Sequence, residues 1–314
     1  MDMVQTITGL LSGSTRVSRV AQLPVSTIVA AYRRRLGIDV AAYFGDLREL
    51  AFLRDEESGL LFFHPLTPGP EHFYAELSTR FDWYYKPHKR AFDVAREHIK
   101  PSDDVLEIGA GLGFFRDGTL CKSYTGIETN TAAVRSARDR GLELASIDIR
   151  ALARDRPQSF DVVCAFQVIE HVDDPRAFIA AMIELTRARG RIVISTPSAD
   201  GFWARSRDAL NVPPHHVTWW PDQTWYWIRD AFSLRTVTLF SNPRERVLDW
   251  SRTLAINGLA KIRGITLQPI LDESPGYLQL AELAEQSAQI IAHGVQAESD
   301  IPARGHSVIA VFEK

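Results

Sequence analysis

The stretch Val105-Leu106-Glu107-Ile108-Gly109-Ala110-Gly111-Leu112-Gly113-Phe114-Phe115, followed by Tyr124-Thr125-Gly126-Ile127-Glu128, decides the fold. The first apolar run ends in three glycines at alternate positions, and the second ends in a carboxylate. Apolar runs of this length read as buried strands. Glycines at a strand tip let the chain turn sharply and bring bare backbone against a ligand. A carboxylate at the tip of the next strand accepts two hydrogen bonds from a ribose diol.

Spacing separates this loop from other nucleoside-binding loops. The dinucleotide fingerprint is G-x-G-x-x-G, with a helix N-terminus aimed at a pyrophosphate. Here the spacing is G-x-G-x-G, and Glu107 stands two residues before the first glycine. A carboxylate there repels a pyrophosphate and suits a ligand carrying an ammonium or sulfonium group. The run Glu107-x-Gly109-x-Gly111-x-Gly113 resembles the cofactor loop of class I S-adenosylmethionine-dependent methyltransferases. Phe160-Asp161-Val162-Val163, Glu170-His171-Val172-Asp173-Asp174-Pro175 and Ile194-Ser195-Thr196-Pro197 look like landmarks of one subgroup. That subgroup holds the ubiquinone-biosynthesis type O-methyltransferases and many natural-product and sugar methyltransferases. The resemblance covers about residues 86–242 plus the last strand. It is specific on the cofactor side and unspecific on the substrate side.

The resemblance implies a set of roles. Gly109, Gly111 and Gly113 lie against the methionine moiety and ribose, and Glu107 reaches the methionine ammonium, directly or through water. Glu128 holds the ribose hydroxyls, Asp148 accepts from the adenine amino group, and Ile149 packs on the ring. Gln167 lines the methionine side, and Tyr84 or Tyr85 closes over the cofactor. Each has a plainer alternative: strand-end glycines as turns, Asp148 as a helix cap, Trp83-Tyr84-Tyr85 as a structural cluster.

Methyl transfer is a displacement at a sulfonium methyl, so alignment of nucleophile, carbon and sulfur is most of the task. A hydroxyl acceptor must also lose a proton, which suits an imidazole near neutral pH. Three histidines are candidates: His171, after the fourth strand, and His215 and His216, after the fifth. All three follow strand ends at the carboxyl edge, where open α/β sheets bind ligands. His171 reads first as a brace for its own loop, by hydrogen bonds to backbone, and second as a base. Trp219 and Trp220 read either as core or as a stacking surface for a planar acceptor. No metal is expected, because adjacent side chains such as His215 and His216 tend to diverge and no third ligand is evident.

Elsewhere, 314 residues allow one large domain with additions or two modest ones. With 45% hydrophobic and 24% charged residues and a net charge of -3, nothing points to nucleic acid or a membrane surface as partner. Arg33-Arg34-Arg35 reads as a solvated helix end. Two cysteines, Cys121 and Cys164, form neither a disulfide framework nor a zinc site. No transmembrane run or secretory signal is evident, so the cytoplasm is the expected compartment.

The fold class expected is α/β: a Rossmann-like, seven-stranded, doubly wound sheet with an antiparallel last strand. A small N-terminal appendage precedes it, and a helical insertion interrupts it before the last strand. The divisions are 1–85 (a loose arm over 1–22, then the appendage), 86–242 (core), 243–304 (insertion) and 305–314 (final strand). A helix is expected from about Pro24 to Leu36, stopped by Gly37, and another from about Pro87 to Ile99. Core strands are expected at Val105–Gly109, Tyr124–Glu128, Leu142–Ile149, Phe160–Phe166 and Arg191–Ser195. A helix capped by Asp174-Pro175 is expected to close at Gly190. The insertion reads as a cap over the acceptor or the interface of a homodimer. The function expected is methyl transfer from S-adenosylmethionine to a small molecule (a sugar, a phenolic or a polyketide-like scaffold), at oxygen with histidine-assisted deprotonation. N- or C-methylation, a non-catalytic cofactor-binding module, and a nicotinamide oxidoreductase (disfavoured by glycine spacing) are the alternatives.

Overall fold

The computed structural model describes residues 7–241, 247–294 and 305–314. Residues 1–6 of the expected arm, and 243–246 and 295–304 of the expected insertion, lie outside the described residues. The chain starts with β1 (Val17–Pro24), α1 (Val25–Leu36), β2 (Glu49–Asp55) and β3 (Leu61–His64). It continues through α2 (Glu71–Arg80), α3 (Arg90–Glu97), β4 (Asp104–Ile108), β5 (Ser123–Ile127), α4 (Thr131–Asp139) and α5 (Ile149–Asp155). Next come β6 (Phe160–Phe166), α6 (Pro175–Leu185), β7 (Thr186–Pro197), β8 (Thr218–Trp219) and α7 (Asp222–Ala231). The described elements end with β9 (Thr236–Ser241), α8 (Val247–Arg263), α9 (Pro275–Gly294) and β10 (Ser307–Glu313).

These elements belong to two compact units, one of residues 69–196, 223–240 and 309–314, the other of 1–68, 197–222 and 241–308. The first unit contains the glycine run. Its sheet has the order β5-β4-β6-β7-β10-β9. Strand β4 is parallel to both β5 and β6, and β6 to β7. Chain direction reverses at β10: Arg189 N–H donates to Lys314 O and Arg235 N–H to Glu313 O, while Ser198 N–H donates to His306 O at the opposite end. This is a Rossmann-like mixed sheet with an antiparallel strand near its end. The strand sequence turns from one side of β4 to the other at β5 and β6, so the switch point, where such sheets bind ligands, lies at the tips of these three strands.

The strand expected at Leu142–Ile149 is not formed. Only a single parallel bridge, Ile127 to Ala145, occupies the seventh position. Gly141 still turns in the left-handed region (φ 80°) and Asp148 is already the N-cap of α5, so few residues remain to pair. The bridge is held by Glu128 N–H to Ala145 O (3.0 Å) and Ala145 N–H to Gly126 O (2.9 Å).

Helix α6 starts as its sequence dictates, with Asp174 accepting from Ala177 N–H at 2.9 Å and Pro175 in the first turn. It ends at Leu185, five residues before Gly190. The Thr186 hydroxyl donates to Met182 O at 2.7 Å, and the Lys314 ammonium caps Ile183 O and Thr186 O at 2.8 Å each. Gly190 instead permits close approach within the sheet, because a Cβ there would lie 2.8 Å from Asp161 O.

At the opposite strand ends from the glycines, Arg187 bridges Asp104 (2.9 Å) and Asp161 (2.6 Å), with Ser123 and Lys122 also on Asp104. The Ser123 hydroxyl, then Arg187 and Lys122, hold the Asp104 carboxyl down at about 2. A depressed carboxylate contributes stability fully above its unfolded value and loses it as pH falls through the folded one. Arg187→Ala is therefore expected to lower the urea midpoint at pH 7, with the gap to wild type closing between about pH 4 and pH 2. An equal gap at both ends of that range would contradict this assignment.

The second unit holds an antiparallel sheet of order β1-β2-β3-β8 and the α8–α9 pair. The loose arm expected over 1–22 is not what its described part forms. From Val17 onward it is β1, paired along β2 from Val17–Asp55 to Pro24–Glu49. Helix α1 follows Pro24 and ends at Gly37, whose left-handed backbone (φ 66°) sends its N–H back to Arg33 O. The arginines of its last turn are paired, Arg33 with Asp39, and Arg34 and Arg35 with Glu273. Trp219 and Trp220 are core: Trp219 meets Phe52 and Phe63 edge-on (4.8 and 6.4 Å), and Trp220 is fully buried. Helices α8 and α9 close on Ile256, Ala260, Tyr277, Leu280 and Ala284. Among the described residues no helix is long and apolar enough to cross a membrane.

Candidate cofactor site

All three alternate glycines beyond β4 adopt positive φ: Gly109 68°, Gly111 56° and Gly113 75°. Each also lies against a neighbour that leaves no room for a side chain. A Cβ would come within 2.4 Å of Val168 at Gly109, 2.7 Å of the Tyr85 ring at Gly111, and 2.1 Å of Leu142 at Gly113. The loop is thus doubly committed to glycine, by backbone angle and by space.

Glu128 organises that loop. One carboxylate oxygen accepts from Gly111 N–H at 2.8 Å, and the other from Asn130 N–H at 2.7 Å. The Asn130 side chain caps α4 by accepting from Ala132 and Ala133, and its amide donates to the Tyr85 hydroxyl at 3.5 Å. Tyr85 therefore spans from Gly111 to Asn130, and burial raises its phenol well above the ordinary range.

Between the tips of β4, β5 and β6 lies a cavity of about 200 Å³, lined by Gly109, Glu128, Asp148, Ile149, Val168 and Phe178 among others. Asp148 does cap α5, with Oδ1 accepting from Arg150 and Ala151. Both bonds fall on one oxygen, so Oδ2 can face a ligand amine. Ile149 beside it is buried and supplies an apolar wall.

Other expected residues lie outside that cavity. Glu107 is 2% exposed on β4, where it receives the Tyr124 hydroxyl, and desolvation pushes its carboxyl up to about 8. Gln167, just past β6, is in the left-handed region (φ 60°), a strained angle held by its N–H to Ser195 O at 2.8 Å. His171 closes the short 3-10 turn Ile169–His171 with its N–H on Val168 O, and its ring meets Tyr74 edge-on at 5.3 Å. His215 and His216 belong to the second unit. Instead of diverging, their rings lie 4.4 Å apart at 31°. The 3-10 turn before them dictates this: His215 Nδ1 bonds Leu210 O at 2.9 Å, and His216 Nδ1 faces Asn211 Oδ1 at 3.4 Å. A carbonyl only accepts, so His215 Nδ1 carries a proton, and in the neutral ring Nε2 is the acceptor.

Residues 78–239, half the chain, match the methyltransferase domain family. The chain belongs to that family. Over 110 residues it is 34% identical to the ubiquinone biosynthesis O-methyltransferase of Albidiferax ferrireducens (32% of this chain, 44% of that protein). Over 101 residues it is 34% identical to that of Paracidovorax citrulli (29% and 42%). The chain thus spans under half the length of these relatives. Among solved structures, a SAM-dependent methyltransferase from Archaeoglobus fulgidus superposes with a TM-score of 0.49 at 16% identity, covering 77% of this chain and 99% of that one.

S-adenosylmethionine is the cofactor of this methyltransferase family, and the residues present fit it. The cavity falls short of the roughly 300–1,000 Å³ typical of drug-sized ligand sites. With S-adenosylmethionine bound, Glu128 would hold the ribose and Asp148 the base, and the methionine portion would extend over the crowded glycines.

Some contributors were not singled out from sequence. Val168 and Phe178 carried no motif. Glu170 is a second buried carboxyl, pushed up to about 8 by desolvation. Its place next to His171 in the Glu-His pair was the one available signal.

Proposed function

We propose that this methyltransferase transfers a methyl group to an oxygen of a small-molecule acceptor, with a histidine taking the acceptor's proton. The observation that carries the proposal is the position of His171 at the end of the turn that follows β6. Val168, three residues earlier, lines the nucleoside cavity, so the imidazole belongs to the same carboxyl edge of the sheet. The names of the relatives, O-methyltransferases of ubiquinone biosynthesis, support oxygen as the accepting atom. S-adenosylmethionine supplies an electrophilic methyl whose departing sulfur is neutral. The chain's own part is to hold the cofactor with Gly109, Gly111, Gly113, Glu128, Asp148 and Ile149, and to relieve the acceptor of its proton. His215, with Nε2 as acceptor, and His216 are the other acid–base candidates. Phenolic, sugar and polyketide-like hydroxyls are the acceptor classes proposed. The two free thiols support a reducing compartment, and we place the protein in the cytoplasm.

Single alanine substitutions of His171, His215 and His216 test the reading with labelled S-adenosylmethionine and a panel of phenols, sugars and amines. Loss of the proton acceptor is expected to lower kcat on a hydroxyl acceptor by about 10²–10⁴-fold while cofactor binding stays unchanged. Turnover confined to amines and indifferent to all three substitutions would refute oxygen transfer with histidine assistance.

A further inference from the structure

A buried carboxyl with a single hydrogen-bond donor is an expensive arrangement unless a ligand completes it. Glu107 is such a group. Among the described residues its one side-chain hydrogen bond is the one it accepts from the Tyr124 hydroxyl. Lys89 and Arg96 act on it only at a distance, Glu128 opposes its ionisation, and the Cys164 thiol lies beside it on β6. A positively charged ligand group would supply the missing partner.

The contact between Tyr124 and Glu107 is built by strand register. Glu107 lies opposite Gly126 in the parallel β4–β5 ladder, and Tyr124 opposite Val105. Tyr124 is two residues before Gly126 and therefore shares its face. Its side chain reaches Glu107 diagonally, across the space where a residue-126 side chain would stand. A Cβ on Gly126 would sit 3.1 Å from the Tyr124 hydroxyl and 2.4 Å from Leu144. The Arg116 guanidinium lies over the ring, 5.9 Å from its centre.

We propose that Tyr124 is a positioning residue for the cofactor: its hydroxyl orients the Glu107 carboxylate toward the methionine ammonium, through a gap that Gly126 keeps open. This rests on the S-adenosylmethionine reading given above. Tyr124→Phe removes the hydroxyl and keeps the ring, and Gly126→Ala crowds the hydroxyl from its place. Both should reduce affinity for the ammonium and leave the nucleoside cavity intact.

The test is calorimetric binding of S-adenosylhomocysteine and of 5′-methylthioadenosine, which lacks the amino-acid portion. The ligands are titrated into wild type, Tyr124→Phe, Gly126→Ala, Glu107→Gln and the Glu107→Gln/Tyr124→Phe double variant. Tyr124→Phe should weaken S-adenosylhomocysteine by about tenfold, as expected for one hydrogen bond to a charged group, and leave methylthioadenosine within about twofold. Gly126→Ala should do the same. With Glu107→Gln already present, Tyr124→Phe should have no further effect. Equal weakening of both ligands, or additive effects in the double variant, would overturn the proposal. Wild-type protein that binds neither ligand overturns the cofactor reading and this proposal with it. Wild-type protein that binds both with equal affinity overturns this proposal alone.

Discussion

Glu128→Ala is expected to weaken S-adenosylhomocysteine binding by about 100-fold or more in a calorimetric titration. Each hydrogen bond between a carboxylate and a ribose hydroxyl is worth about 1.5–3 kcal/mol, and a two-oxygen grip can make two. The same carboxylate also fixes the loop before any ligand arrives, through Gly111 N–H and Asn130 N–H. Alanine therefore removes the ribose contact and releases the glycine loop and the start of α4 together. Glu128→Gln keeps the size but puts an amide nitrogen where an N–H must be accepted. It is expected to fall between wild type and alanine. Unchanged affinity in Glu128→Ala would show that the nucleoside does not bind at the tip of β5.

Gly109→Ala should be one of the most damaging single-methyl changes among the described residues, lowering stability by about 2–5 kcal/mol. A non-glycine residue in the left-handed region costs about 1–2 kcal/mol, and forcing a methyl into packed space adds about 1–3. Both apply at Gly109, with φ at 68° and Val168 2.4 Å from the new Cβ. Gly13 separates the two terms, since its φ is 71° but nothing lies within 4 Å. Gly13→Ala should cost only the backbone term, about 1–2 kcal/mol. Urea midpoints of the two variants check the difference. Equal losses would mean that Val168 yields and the crowding at Gly109 is not real.

The glycine loop was legible because its devices are local. A strand tip that must turn with positive φ needs glycine, and its freed N–H finds an acceptor in the carboxylate one strand away. Asp174-Pro175 and Gly37 marked helix ends for equally local reasons. The strand expected at Leu142–Ile149 was misread because its alternating apolar residues serve three other contacts. Leu142 fills the space over Gly113, Leu144 packs with Ala110 and Ala137, and Ile147 and Ile149 line the cavity at the strand tips. Alternation of this kind looks like a strand without needing a ladder. β1 was missed for the opposite reason. It buries only Leu23, so the backbone ladder with β2 holds it with almost no hydrophobic period to see. The His215–His216 ring contact and the Tyr124–Glu107 contact depend on a preceding turn and on cross-strand register, neither of which appears in a linear reading. Trp219 and Trp220 had two open readings until β8 placed them in the core of the second unit.

The most direct test of the account is a titration of S-adenosylhomocysteine into the wild-type protein, with NADH as the control. One site of micromolar affinity for S-adenosylhomocysteine and no heat from NADH are expected. No binding of S-adenosylhomocysteine, or tighter binding of NADH, would contradict the assignment of the glycine loop and of Glu128.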